Sequence, residues 1–461
     1  MDDADADEIA ALVHSLDPAT LRALLIELAA HHEPVRDRLH RLRLSAQPRQ
    51  LAAAFRTTLD GWRRATRFIG TRESHAFAAE LDAWLGQVER ELLPREPALA
   101  LELFEALITS DEKFFERADD SDGCIGDAIR SACRLWLQAA ARCEAPTSGW
   151  PARVRQLVDA DAYGAREPLL SNANLLLDEP ALRALVAQFE VELDEHVEGS
   201  AAGGPARHSA FSASGSLRLL ADALRDPDVE VRAVLRHSPD PNTQQKAGFA
   251  RAYPECGRAA DALAWLDGHW DHEEDTRLRL LAQAYADLQR TEECTDIRRR
   301  LFEATGSVED YRTWCERLSP ESRGAAAAEA RRRAQDHPDP VTAAGLLLEV
   351  GDEAAAESVL VARYGELNGR DYSRLQGLAE TMEARHRAVG ATACYRALLL
   401  DILSRAYVRA YAHAARYLGK LRHLALEAPD PRPLESHETF EAAIRAKHAR
   451  KVSFWNHVKA G

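Results

Sequence analysis

The segment Gly257-Arg258-Ala259-Ala260-Asp261-Ala262-Leu263-Ala264-Trp265-Leu266 decides the fold class. Small residues just after a turn lead into a helix-forming run, the signature of a short loop feeding a closely packed helix. Three other segments share the pattern: Arg290-Thr291-Glu292-Glu293-Cys294, Gly351-Asp352-Glu353-Ala354-Ala355-Ala356 and Gly390-Ala391-Thr392-Ala393-Cys394-Tyr395. Small residues at such places let neighbouring helices approach, as in tetratricopeptide-like hairpins. The starts lie 33, 61 and 39 residues apart, so the expectation is a degenerate α-solenoid over residues 216–428. The rest of the chain agrees with an all-α fold. Ala, Leu, Arg and Glu fill its long segments, and runs of Val, Ile and Thr at period two are almost absent.

Towards the N-terminus, Asp17 and Pro18 read as the cap and first position of a helix carrying Leu21, Leu24, Leu25 and Leu28. A second helix is expected from Pro34, a third from Pro48 toward Ile69, and a fourth from Glu73 to Leu93 with Phe77, Leu81, Trp84, Leu85 and Val88 on one face. Between Glu198 and Ser216 the chain is rich in Gly, Ser and Ala, which reads as a linker or mobile loop. The expected organisation is an N-terminal helical domain at 1–195, a linker at 196–215, the helical-repeat domain at 216–428, and a Pro-rich break with a basic C-terminal cap or tail at 429–461.

The chain has 461 residues and 59 basic against 74 acidic side chains, a net charge of −15. Such a surface as a whole repels nucleic acid and anionic membranes. One region departs from the average, because ten arginines stand against only Asp37 and Asp60 between Arg36 and Arg72. Phe55, Trp62 and Phe68 interleave with them, a mixture that suits single-stranded nucleic acid but equally an arginine-studded helix facing the acidic remainder of the chain. No apolar run is long enough to cross a bilayer, and the acidic start Met1-Asp2-Asp3-Ala4-Asp5 lacks the basic and apolar regions of a signal peptide. A cytoplasmic location is expected. The seven cysteines form no C-x-x-C pair, which argues against a disulfide framework or a zinc ribbon.

Asp119, Asp120, Asp122 and Asp127 form the sharpest chemical feature. Asp120, Asp122 and Gly123 match positions 3, 5 and 6 of an EF-hand loop, but Ala118 and Ile129 stand where its first ligand and its bidentate glutamate belong. The four aspartates are therefore weak metal candidates, and clustered acids also cap helices. Neither a nucleophile elbow nor a phosphate-binding glycine loop is present, so no catalytic residue and no cofactor is assigned. Cys124 is the cysteine expected to be most exposed. At the C-terminus, Arg450, Lys451, Phe454 and Trp455 suit either a docking element or a cap over the last repeat.

The segment Phe115–Asp127, the run from Gly257, the helix at Tyr395-Arg396-Ala397-Leu398-Leu399 and the segment Ala410–Leu418 together resemble a bacterial family of all-helical proteins classified as a domain of unknown function. The ending Ile444-Arg445-x-x-His448-x-Arg450-Lys451-x-x-Phe454-Trp455 also resembles proteins in which such a helical region follows a SWIM zinc finger. That finger is missing here, since no C-x-C followed by C-x-H occurs, and its metal and nucleic-acid roles do not carry over. The resemblance implies a helical fold and no established activity. Stacked hairpins offer grooves with many side chains and no convergent reactive group, so the expected function is non-catalytic: a protein–protein interaction scaffold or adaptor. The alternative is a nucleic-acid-associated adaptor in a bacterial defence or regulatory assembly, using Arg56, Trp62, Arg63, Arg64 and Arg67. A metal-dependent enzyme built on Asp119–Asp127 is the remaining class.

Overall fold

The computed structural model describes residues 12–13, 15–32, 35–36, 47–143, 149–199 and 205–460. Among these the chain is helical throughout, and the one β-type pairing is an isolated bridge between Ile69 and Ala118. Of the helix expected from Pro34 only residues 35–36 are described, and both are helical; the arginines at 38, 41 and 43 fall outside the described residues. Two compact units divide the chain, one ending at Asn242 and the other beginning at Thr243.

In the first unit, α1 (Pro18–His31) begins as expected: Asp17 accepts the amides of Ala19 and Thr20 at 2.8 and 3.1 Å. Helix α2 (Pro48–Arg64) buries Leu51, Phe55 and Leu59, and α3 (Thr71–Glu91) buries Phe77, Leu81, Trp84, Leu85 and Val88. After α4 (Pro97–Ile108) and the short α5 (Asp111–Phe115) comes α6 (Cys124–Ala141), which packs on both α3 and α4. Its burial runs nearly all round, from Ile125 through Ile129 and Trp136 to Ala140, as a central helix requires. Then follow α7 (Trp150–Asp159), α8 (Pro168–Ser171), α9 (Glu179–Gly199), α10 (Pro205–Leu224) and α11 (Pro227–His237).

Residues 196–199 close α9, and 205–215 open α10, which packs along it. The linker expected at 196–215 is thus helical wherever it is described, and the break between the units lies instead after Asn242. The physical reason is close approach. Ala213 and Ser214 are buried one turn before Leu217 and Leu220, which are fully buried. The small residues that suggested flexibility thin the contact between two helices.

The second unit contains α12 (Thr243–Glu255), α13 (Ala259–Trp265), α14 (Glu274–Asp287), α15 (Thr291–Thr305), α16 (Val308–Cys315), α17 (Pro320–Asp336), α18 (Pro340–Glu349), α19 (Glu353–Ala362), α20 (Tyr372–Ala384), α21 (Ala388–Ser404), α22 (Tyr411–Glu427), α23 (His437–His448) and α24 (Val452–Ala460). Each helix packs on the next or on the next but one. The turns recur in detail. Gly257, Gln289, Gly351 and His386 adopt positive φ (76°, 57°, 74° and 56°), and a helix starts two residues after each. At each turn the following amide returns to the carbonyl five residues back: Arg258 to Tyr253, Arg290 to Tyr285, Asp352 to Leu347 and Arg387 to Met382, at 2.8–2.9 Å. This is the Schellman closure, which satisfies carbonyls left open at a helix end. Gly390 lies inside α21, in the first turn after His386. There the glycine serves close packing, since a Cβ would stand 3.3 Å from the Met382 sulfur.

Candidate functional site

The basic stretch ends its helix earlier than the sequence suggested. Helix α2 stops at Arg64, where Ala65 turns extended (φ −66°, ψ 133°). Arg67 consequently does not share a helical face with Arg56 and Arg63. Arg56 holds Glu102 at 2.9 Å, Arg63 holds Asp60 at 3.5 Å, Arg67 holds Glu73 at 2.5 Å, and Arg64 donates to the Asp60 carbonyl at 3.0 Å. The aromatics divide similarly. Trp62 meets Phe77 and Trp84 edge-on at 5.9 and 6.0 Å, Phe55 is buried against Trp84, and Phe68 is exposed.

The four aspartates of the acidic loop turn to different partners. Asp120 caps α6, its two oxygens accepting the amides of Ile125 and Gly126 at 2.9 Å each. Asp119 accepts the hydroxyls of Ser121 and Thr71, and these bonds hold its carboxyl below the ordinary range. Ser74 donates to the Asp119 carbonyl at 2.6 Å, which pins the loop to α3. Asp127 holds Arg130 at 2.9 Å. Among the described residues, no group of three or more His, Cys, Asp or Glu side chains is arranged to hold a metal ion.

Asp122 has a different role from the other three. Its Oδ2 lies 3.0 Å from His75 Nε2, and His75 Nδ1 lies 3.1 Å from Cys124 Sγ. A carboxylate only accepts, so a neutral His75 carries its proton on Nε2 and presents Nδ1 to the thiol. Cys124 is half-buried at the first position of α6, while His75 comes from α3, 49 positions earlier in the chain. No local pattern in the sequence joins them, and His75 escaped the sequence reading for that reason.

At the other end of the chain, Phe454 is fully buried, with its ring 6.0 Å from Tyr411 and 4.8 Å from Trp455. Trp455 donates to the His448 carbonyl at 3.0 Å and carries the Arg445 guanidinium 4.7 Å above its ring. Lys451 reaches the Tyr411 hydroxyl at 3.3 Å, and Arg450 is exposed. Phe454 therefore belongs to the apolar core of the second unit, and Trp455 packs against it.

A cleft of about 770 Å³ lies between α22 and α24, with Glu383 of α20 among its lining residues. Arg416, Lys420, Arg422, His423 and His457 line it, and Glu383, its one carboxylate, is held by Lys420 at 2.7 Å. Ala412, Ala415 and Gly419 form the floor, and a Cβ at Gly419 would meet nothing within 4 Å. Arg416 donates to His413 at 3.0 Å. A second cleft of about 460 Å³ lies across α16, α18 and α20, lined by Arg312, Arg374 and Arg385 with Glu349. Neither cleft was foreseen, because their residues are spread over well-separated helices.

No curated protein and no solved structure matches the chain. Residues 9–457 match the model of a family of unknown function. The match takes in both compact units, and the chain belongs to that family, DUF6880.

Proposed function

We propose that this protein is a cytoplasmic, non-catalytic adaptor of bacteria whose second unit is a tetratricopeptide-like helical stack that binds an acidic segment of a partner protein. The observation that carries the reading is the cationic cleft on α22 and α24. Five basic or imidazole side chains line it beside Ala412, Ala415 and Gly419, in a chain whose net charge is −15; Lys420, Arg422 and His423 are paired with Glu383, Glu441 and Glu427, so the reading rests chiefly on Arg416 and His457. Local charge opposite to the overall charge selects a partner segment rich in Asp and Glu.

Support for the repeat comes from the turns. Tyr253, Arg258 and Asp261 recur 32 positions later as Tyr285, Arg290 and Glu293. In each set the arginine lies over the tyrosine ring (5.1 and 4.8 Å) and pairs with the acid at 2.7 Å. A unit of that length suits a helical hairpin stacked on its neighbours. That among the described residues no helix is long and apolar enough to cross a membrane agrees with the proposed location. The nucleic-acid reading draws less support, because α2 stops at Arg64 and Arg67 lies off the helical face that carries Arg56 and Arg63.

Fluorescence anisotropy with Asp/Glu-rich, neutral and Lys/Arg-rich peptide sets tests the proposal. The expected result is a subset of acidic peptides binding below about 100 μM, weakened at least tenfold by Arg416→Glu with His457→Glu and by raised salt. Equal or absent binding across the three sets rejects it.

A further inference from the structure

We infer that Cys124 is a base-assisted thiol, a site of oxidation by hydroperoxides, with His75 as the base and Asp122 as the group that orients it. Three features place it apart from the other six cysteines. The thiol lies 3.1 Å from an imidazole nitrogen, the imidazole's other nitrogen is fixed 3.0 Å from a carboxylate, and His75 and Asp122 are each 57% exposed, so small reagents reach the group. A nucleophile, a base in hydrogen-bond reach and a third group that fixes the base form the general pattern of an activated side chain. By contrast, Cys133, Cys294 and Cys394 are buried, where a thiol behaves as a small apolar group.

The surroundings decide which chemistry fits. Acyl transfer needs free amides to receive the developing oxyanion. The Ile125 and Gly126 amides beside the thiol are both taken by Asp120. Attack on a peroxide oxygen needs no such pocket. His75 Nδ1 takes the thiol proton as sulfur attacks one oxygen of hydrogen peroxide. The O–O bond breaks, and the departing hydroxide recovers the proton from His75 as water. Sulfur is oxidised to the sulfenic acid, the peroxide is reduced, and the imidazole ends as it began.

The charged groups around the thiol bear on its resting form. Asp120, Asp122 and Asp127 surround it from the loop and α6, with Arg130 held by Asp127, while α3 contributes His75 and the Asp82 carboxyl, which Asp127 repels. Partial burial, and then these three carboxylates, raise the thiol above its ordinary value. Cys124 thus rests as a thiol, and its reactivity depends on proton transfer to His75 at the moment of attack, not on a standing thiolate.

The test treats the full chain with hydrogen peroxide, traps sulfenic acid with dimedone and reads each cysteine by peptide mass spectrometry between pH 7 and 9. At pH 7, Cys124 is expected to be oxidised about tenfold faster than the half-buried Cys143, Cys256 and Cys315, and His75→Gln to bring it to their level. The pH profile separates a base from mere accessibility. The wild-type rate at Cys124 rises shallowly over this range, whereas the His75→Gln rate climbs about tenfold per unit with the thiolate fraction. Asp122→Asn is expected to give an intermediate rate with unchanged helical content. Oxidation of Cys124 no faster than the other three, or the same pH slope in wild type and His75→Gln, overturns the proposal.

Discussion

Arg166 in the first unit and Arg396 in the second are buried in opposite ways, while Arg277 of the second unit closes on Glu274 much as Arg166 closes on Asp111. In the first, Arg166 and Asp111 are about 4% and 2% exposed and meet through two bonds of 2.7 and 2.8 Å, while a third guanidinium nitrogen donates to the Leu157 carbonyl at 2.8 Å. In the second, Arg396 is fully buried without a carboxylate. One nitrogen donates to the Glu435 carbonyl at 3.0 Å, the group lies 4.3 Å over the Phe440 ring, its Nε finds no acceptor, and burial lowers its pKa. The difference teaches that a buried charge can be closed by a counter-charge or only shielded by a carbonyl and a ring. The consequences of substitution differ sharply between the two.

The largest expected effect follows from removing one half of the closed pair. Asp111→Ala leaves the Arg166 charge buried alone and is expected to cost the first unit about 3–5 kcal/mol, read by urea denaturation. Arg396→Met is expected to change the second unit by about 1 kcal/mol or less, since an apolar side chain replaces a charge and leaves no buried carboxylate unpaired. Equal losses would break the comparison.

Acid separates the units next. In the second unit, Glu441 is held down to about 2, chiefly by hydrogen bonding from Arg422, and Glu274 to about 2 by hydrogen bonding from Arg277. A depressed carboxyl contributes stability that is complete above its unfolded value and lost as pH falls through the folded one. The second unit is therefore expected to weaken between about pH 4.5 and pH 2, by about 1–3 kcal/mol per group. In the first unit, burial raises Glu230 and Asp82, groups that prefer the proton when folded and so favour the folded state as pH falls. Pulsed hydrogen exchange on peptides from each unit during acid titration is expected to show the second unit opening first.

The smallest effect concerns a turn. Gln289 holds the positive φ that glycine takes at Gly257 and Gly351, at a cost to a side chain bearing a Cβ. Gln289→Gly relieves a left-handed penalty of about 1–2 kcal/mol, partly offset by glycine's larger entropy loss, and is expected to stabilise the second unit by less than about 1 kcal/mol, measured by thermal denaturation. Destabilisation would mean that the turns are not equivalent.

How far the sequence could be read follows from the same residues. Helices were legible wherever apolar spacing and a cap coincided, as at Asp17-Pro18 and along Phe77 to Val88. The turns at Gly257 and Gly351 were visible because glycine marks positive φ. At Gln289 and His386 the same turn is made by ordinary side chains, so no glycine marks its position there. The run at 205–216 misled because Ser, Ala and Gly signal a flexible chain and a close helix contact with the same letters. His75 with Cys124, and the residues of the cationic cleft, meet only through the fold.

Hydrogen exchange with and without an Asp/Glu-rich peptide found in the binding assay tests the central claim most directly. Bound peptide is expected to slow exchange in residues 411–427 and 452–460 and at the end of 372–384, and to leave 48–64 unchanged. Protection confined to 48–64, or binding with no protection along α22 and α24, would contradict the assignment of the cleft as the recognition surface.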